Sequence, residues 1–364
     1  MNIRLYLKHI RATKHFSFGV WTSRQILIVA IDEGEHTGYG ECILATNDEQ
    51  YSLKPIQNLL QPLQSLSPKE ALDYCEKQKD HWRAGLIEAV EIALLDLQGK
   101  IKGVPTVELL GFTPPSQTEL CGVHVILSDD LKEVEESSQW AKEQSKDAFI
   151  KVKLFGDLDL DRSVIETVRK VCPEPSTYLI GDVNCGYAPD ETLEQAMLTL
   201  RNAGLNACED PAKMDHASWQ ALQAKVDPLA LIPDEPMRPA RKAVKDIEPG
   251  MAHIFNIHPD CMGSIIDAIA LAKHVKELGS GLMIGDDSLV GPACTAWQQL
   301  AIVLEANWVE ACEKKDESDF FYAAVKEMAT DSRHNPISIN WRAGFGIEMN
   351  EDELRRNIDA VCEI

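Results

Sequence analysis

The sequence contains no Cys-x-x-Cys pair, although ten cysteines are scattered through its 364 residues. A chain of this length needs no disulfide staples, and without paired spacing the pattern predicts reduced thiols in a cytoplasmic protein. No apolar run approaches the ~20 residues that span a bilayer. The N-terminus, Met1 to Lys8, also lacks the apolar stretch and small-residue cleavage site of a signal peptide. No lysine or arginine cluster stands out against a formal net charge of −22, a field that repels nucleic-acid phosphates and anionic lipid. Neither nucleic acid nor a membrane is an expected partner. A glycine-rich phosphate fingerprint is missing as well, which argues against an open dinucleotide-binding sheet.

What is present reads as globular. Hydrophobic residues make up 45% and charged residues 26%, the balance of an ordinary folded protein. The length exceeds what one core usually supports, so a large domain with a smaller companion is expected. The acidity has a further consequence: a site for a carboxylate needs strong local positive charge, from a metal ion or from converging lysines.

The first hundred or so residues read as an α+β unit. A strand-like run, Gln25 to Ile31, leads into the turn-rich Asp32 to Glu41. Residues Leu86 to Gly99 carry apolar side chains at helical spacing and end on a glycine suited to a C-cap. From about residue 118, short apolar runs followed by helix-like stretches recur every 24 to 30 residues. The runs are Cys121–Leu127, Phe149–Phe155, Tyr178–Asn184, Ala207–Pro211, Leu229–Glu235, Ile254–His258, Gly281–Asp286 and Trp308–Cys312. Eight such units fit an α/β fold with a TIM-type (β/α)-barrel over residues 116–329. Residues 1–115 form the smaller domain, and residues 330–364 are expected to return and complete it.

Barrel chemistry sits where strands end. Lys151 and Lys153 share one face of the second strand by period-two alternation. Asp182, Glu209 and Asp234 close the next three, spaced 27 and 25 residues apart, one βα unit each. One carboxylate from each of three adjacent strands can converge on Mg²⁺, a small hard cation that prefers carboxylate oxygens. Taken singly, each has a plainer reading: Asp182 as a helix cap, Glu209 as a lysine partner, Asp234 as a turn residue.

The series Lys151-Val152-Lys153, Asp182-Val183-Asn184, Glu209-Asp210-Pro211 and Asp234-Glu235-Pro236 resembles the enolase superfamily, in its mandelate racemase and muconate lactonizing enzyme branch. Gly38-Tyr39-Gly40-Glu41 and Ala93 to Lys100 resemble that branch's capping domain, so the likeness covers nearly the whole chain. The resemblance implies a modified, enolase-like barrel under an α+β cap. It also implies Mg²⁺-dependent removal of the proton next to a carboxylate, through an enediolate. Lys153 would be the base, with Lys151 lowering its pKa by like-charge repulsion. The alternative is that both lysines merely pair with the metal-binding carboxylates.

One position departs from the pattern. Where the branch carries a lysine or an aspartate at the end of strand six, this chain has His258, five residues before Gly263. His258 is either an acid or base oriented by Asp286 or Asp287, or only a hydrogen-bonding group. The segment His15 to Arg24 corresponds to the capping loop to which specificity is attributed. Trp21 and Arg24, with Asp287, are its candidate substrate contacts, Arg24 for a second anionic group, although the segment could equally be a packing face. The resemblance implies an isomerase, a racemase, epimerase or cycloisomerase of an amino-acid derivative, dipeptide or unsaturated diacid, in a homo-oligomer. A dehydratase of sugar or hydroxy acids is the first alternative and a non-catalytic binding barrel the second.

Overall fold

The computed structural model describes residues 1–47, 52–116, 118–312, 314, 316–332 and 334–364. Three long strands, Asn2–Phe16, Gly19–Glu33 and His36–Thr46, form an antiparallel meander, and Ala360–Glu363 pairs with the outer edge of the first. The central run is apolar throughout because both its faces are covered. Leu27, Val29 and Ile31 pack with Leu86, Val90 and Leu94 of the capping helix, while Ile26, Ile28 and Ala30 join the larger core.

That helix runs Ala84–Lys102, three residues past the glycine expected to end it. Gly103, at φ +68°, supplies the left-handed C-cap instead. Gly99 lies inside the helix for another reason: a Cβ there would stand 2.7 Å from Cα of Gly344. Gly38 and Gly40 let the third strand lie directly on the helix, since a Cβ at either would collide with the carbonyl oxygen of Ala93 or Ala89.

The second domain is a TIM-type (β/α)-barrel. Its first five strands, His124–Ile126, Phe149–Lys153, Tyr178–Asp182, Ala207–Glu209 and Ala230–Ile232, form one parallel sheet, and Ile254–Ile257, Gly281–Ile284 and Trp308–Val309 form another. Asn256 N–H donates to the Pro233 carbonyl at 3.1 Å, and Val123 N–H to that of Val309 at 3.0 Å, joining the sheets at both seams. The first and last strands are shorter than their apolar runs, because Cys121 and Gly122 make only bridging contacts with Val309 and the chain turns at Glu310, whose carbonyl accepts from Cys312 N–H. Phe149, Tyr178 and Trp308 stack together near the strand starts, with ring centroids 5.1 to 5.9 Å apart. One end of the barrel is thus filled with apolar side chains and the charges gather at the other. All ten cysteines are free, and no helix among the described residues is long and apolar enough to cross a membrane.

Candidate active site at the strand ends

Strand register decides which inward side chains meet. Lys153 stands opposite Asp182, and Asp182 opposite Glu209. Glu209 stands opposite Ile232, so Asp234 is the next position facing the same way. Lys151 Nζ lies 2.7 Å from Glu209, 2.7 Å from Glu310 and 3.3 Å from Asp182. Lys153 Nζ contacts Asp182 Oδ2 and donates to Asn184 Oδ1 at 2.9 Å. All of these carboxylates and both lysines are buried.

The charges are strongly interdependent. Burial draws the Lys151 ammonium down, yet Glu209, Glu310 and Asp182 outweigh it and hold the group well above its usual value. Burial raises the Asp182 carboxyl, but Lys153 and Lys151 more than reverse that. Glu209 is pushed well above the carboxylate range by burial and the Asp182 charge, against the pull of Lys151. Burial would also raise Asp234, but Arg238 and His258 hold it far below its usual value.

The donors suit a divalent cation. Glu209, Asp234 and His258 each bring a ligand atom within 4.8 Å of the others, whereas Asp182 turns one oxygen toward the two lysines. Beside them Asn256 donates its amide N–H to Glu209 at 2.8 Å, leaving its own buried Oδ1 without a partner. An array of carboxylate oxygens with an orphaned amide oxygen fits a hard cation such as Mg²⁺.

Of the two acids that the sequence offered as partners of His258, Asp286 does not pair with it. The His258 Nδ1 lies 3.0 Å and 3.1 Å from the two Asp234 oxygens and 2.7 Å from Arg238 Nη2. Asp286 is instead taken by Lys314, at 2.5 Å, and by Leu289 N–H, at 2.9 Å. Asp287 is the closer acid, 4.0 Å from His258 Nε2, which is buried and unpartnered. The sixth strand adjoins the fifth and the seventh alike, so adjacency does not choose between the two acids. The oxygens of Asp286 are already engaged by Lys314 and Leu289 N–H, whereas Asp234 lies within hydrogen-bond distance of His258 Nδ1.

A cavity of about 580 Å³ opens above this row. Phe16, Phe18 and Trp21 of the capping hairpin line it, together with Lys153, His258 and Asp287. The aromatic rings pack on one another, Phe16 lying 5.0 Å from Phe18 and 4.9 Å from Trp21. Arg24 corrects a second expectation. It is buried, ion-paired to Glu317 and bonded through Nε to the Ser288 carbonyl at 2.9 Å, so it is fixed within the wall; Lys14 of the opposite hairpin strand reaches the cavity in its place.

Sequence reasoning passed over Glu310, Arg238 and Lys14. Glu310 ends an apolar run and the strand-end rule would have found it. Arg238 carries a weaker signal, four residues after Asp234 beyond a short 3₁₀ turn, Glu235–Met237. Lys14 carries none, because its direction depends on a register shift between Arg11 and Lys14.

The N-terminal domain of the mandelate racemase / muconate lactonizing enzyme family matches residues 3–111. The chain is similar to an o-succinylbenzoate synthase of Bacillus subtilis, 24% identical over 98% of this chain and 96% of that protein. It is also similar to an L-Ala-D/L-Glu epimerase of Escherichia coli, 27% identical over 73% and 79%. Among solved structures, a dipeptide epimerase from Cytophaga hutchinsonii, complexed with Mg and D-Ala-L-Val, superposes with a TM-score of 0.83. That pair is 20% identical, and the match covers 100% of this chain and 99% of the other.

Proposed function

We propose that the chain is a member of the mandelate racemase and muconate lactonizing enzyme branch of the enolase superfamily, as the match of residues 3–111 and the similarity to o-succinylbenzoate synthase over 98% of the chain support, and that it removes the proton next to a substrate carboxylate, as a racemase, epimerase or cycloisomerase. The observation that carries this reading is the buried row of Lys151, Lys153, Asp182, Glu209 and Asp234 at the floor of the cavity. A Mg²⁺ ion held by Asp182, Glu209 and Asp234 would supply the Lewis acidity that such a weakly acidic proton requires.

The chain's own groups divide the remaining work. Lys153 Nζ faces the cavity and is the group placed to take the proton. Lys151 is held by three carboxylates and stays charged, so it serves as a fixed cation under the substrate carboxylate. His258 projects from the sixth strand and Lys153 from the second, half a turn apart in an eight-stranded barrel, so the two can address opposite faces of a substrate between them. A second reading, elimination of a β-hydroxyl, draws support from the nearly full-length likeness to o-succinylbenzoate synthase.

The test is α-proton exchange in D₂O, followed by mass spectrometry over a panel of amino-acid derivatives, dipeptides, hydroxy acids and unsaturated diacids, with Mg²⁺ present or chelated. Metal-dependent exchange that disappears in Lys153→Ala is expected. Exchange that persists in that variant would remove Lys153 as the base, and bound Mg²⁺ without exchange on any panel member would favour a non-catalytic barrel.

A further inference from the structure

The wall of the cavity beside the capping hairpin carries charge that the proton-transfer row does not use. Lys14 Nζ donates to Ser288 Oγ at 2.8 Å and lies 3.3 Å from Glu317. Arg24 pairs with the same Glu317, and Lys314 with Asp286. Among the described residues this cluster therefore sets three cations against two carboxylates. Two further acids lie nearby. Glu41 accepts from the Val290, Gly291 and Ala293 N–H groups, and burial pushes its carboxyl up to about 7, which weakens it as a counter-charge to Lys314. Asp287 faces His258 and Arg238.

The surplus is buried. Lys14 is 5% exposed, and Arg24 Nη2 is enclosed without a hydrogen-bond partner. Burial, reinforced by the Arg24 charge, pulls the Lys14 ammonium down to about 8, as expected of a cation short of compensating negative charge. The shift in register between Arg11 and Lys14 turns this lysine toward the barrel. An uncompensated buried cation costs stability, so it persists where a ligand supplies the missing anion.

We propose that this wall seats a second anionic group, so that the substrate is a dianion with one carboxylate at the strand-end row and another at Lys14. The assignment of the first carboxylate rests on the reaction proposed above; the second rests on the wall alone. The spacer between them is short and apolar. Phe16 lies two residues from Lys14, roughly 7 Å along a strand, and its ring centroid is 5.1 Å from Lys153 Nζ. An N-acyl amino acid with a terminal carboxylate, or a diacid, fits this description. A dipeptide, whose far end is an ammonium, would meet Lys14 with like charge.

The experiment is calorimetric binding, in the presence of Mg²⁺, of N-malonyl-, N-succinyl- and N-glutaryl-phenylalanine, each against its terminal mono-amide, and of alanyl-phenylalanine. The wild-type protein is compared with Lys14→Met and Lys14→Arg. At least one dianion is expected to bind about tenfold or more tightly than its mono-amide, the scale of one charge-assisted hydrogen bond. Lys14→Met should close that gap and Lys14→Arg restore most of it, with the change in turnover falling on KM. Equal affinities, tighter binding of the dipeptide, a gap that survives Lys14→Met, or no binding of any dianion overturns the proposal. Exchange measured on the same samples separates the two readings: charge-selective binding without α-proton exchange refutes the reaction and leaves the subsite standing, whereas exchange without charge selectivity refutes the subsite alone.

Discussion

Asp234 shares its two oxygens with the Arg238 guanidinium and with His258 Nδ1. A divalent cation and a guanidinium compete for the same lone pairs, because both gain most from a carboxylate that has no other counter-charge. Arg238→Gln should therefore tighten Mn²⁺ or Mg²⁺ binding about five- to tenfold, roughly 1 kcal/mol, as read by calorimetry or Mn²⁺ relaxation. Unchanged or weaker binding would show that Arg238 supports the site rather than competing within it. The same side chain bears on His258: the imidazole is held by two residues rather than by Asp286, so Asp286→Asn should alter the position of Lys314 and leave the His258 ring in place.

Elements of the cap are tied to the barrel loops by buried carboxylates. Glu41 accepts from Val290, Gly291 and Ala293 N–H, and Glu91 from Ser264 Oγ and Ile265 N–H. Glu88 accepts from Asp260 and Gly263 N–H, on the loop that directly follows His258. Burial pushes the Glu88 carboxyl from 4.5 to about 8, the bound N–H groups only partly resisting. A carboxyl whose folded pKa exceeds its unfolded value binds its proton more tightly when folded, so stability falls as pH rises between the two values. Relative to Glu88→Gln, which has no proton to lose, the wild type should lose stability from about pH 4.5 to about pH 8. The slope is up to about 1.4 kcal/mol per pH unit, measured as the difference in denaturant unfolding. Parallel pH profiles would refute it.

A second element-scale test concerns the close contact of the third strand with the capping helix. Gly40→Ala places a methyl against the Ala89 carbonyl, which is backbone and cannot swing aside. A loss of about 1 to 3 kcal/mol is expected, the usual cost of overpacking, seen as a fall in Tm of several degrees. Gly103→Asn, at an exposed left-handed C-cap with open space around it, should cost far less.

For the molecule as a whole, cap and barrel share one core. Tyr6, Ile26, Ile28 and Ile92 of the cap cluster with the barrel's helices and strands, and the C-terminal strand returns to the first strand of the chain. Unfolding should accordingly be one calorimetric transition in the absence of ligand, shifted upward as Mg²⁺ is added. Two resolved transitions would show that the domains are stable independently.

Much of this was legible in the sequence, and the reasons differ by feature. The recurrence of apolar runs every 24 to 30 residues follows from strands buried on both faces, and that burial is written directly into composition. Asp182, Glu209 and Asp234 could be found because register in a parallel barrel advances by one unit per strand, so sequence spacing stands in for spatial adjacency. The helix end was misplaced at Gly99 because a glycine required by close packing and one required by a left-handed cap look alike in a sequence.

The sequence by itself determined the barrel, the α+β unit that precedes it and the acidic and basic row at the strand ends, since each depends on local pattern or fixed spacing; that the α+β unit caps the barrel was implied by the family resemblance. Only the tertiary structure decided that His258 leans on Asp234 and Arg238, that Arg24 is locked into the wall, and that Lys14 takes its place at the cavity. Those outcomes depend on which side chain of several within reach wins a given oxygen, and on a single shift in strand register, neither of which leaves a periodic trace along the chain.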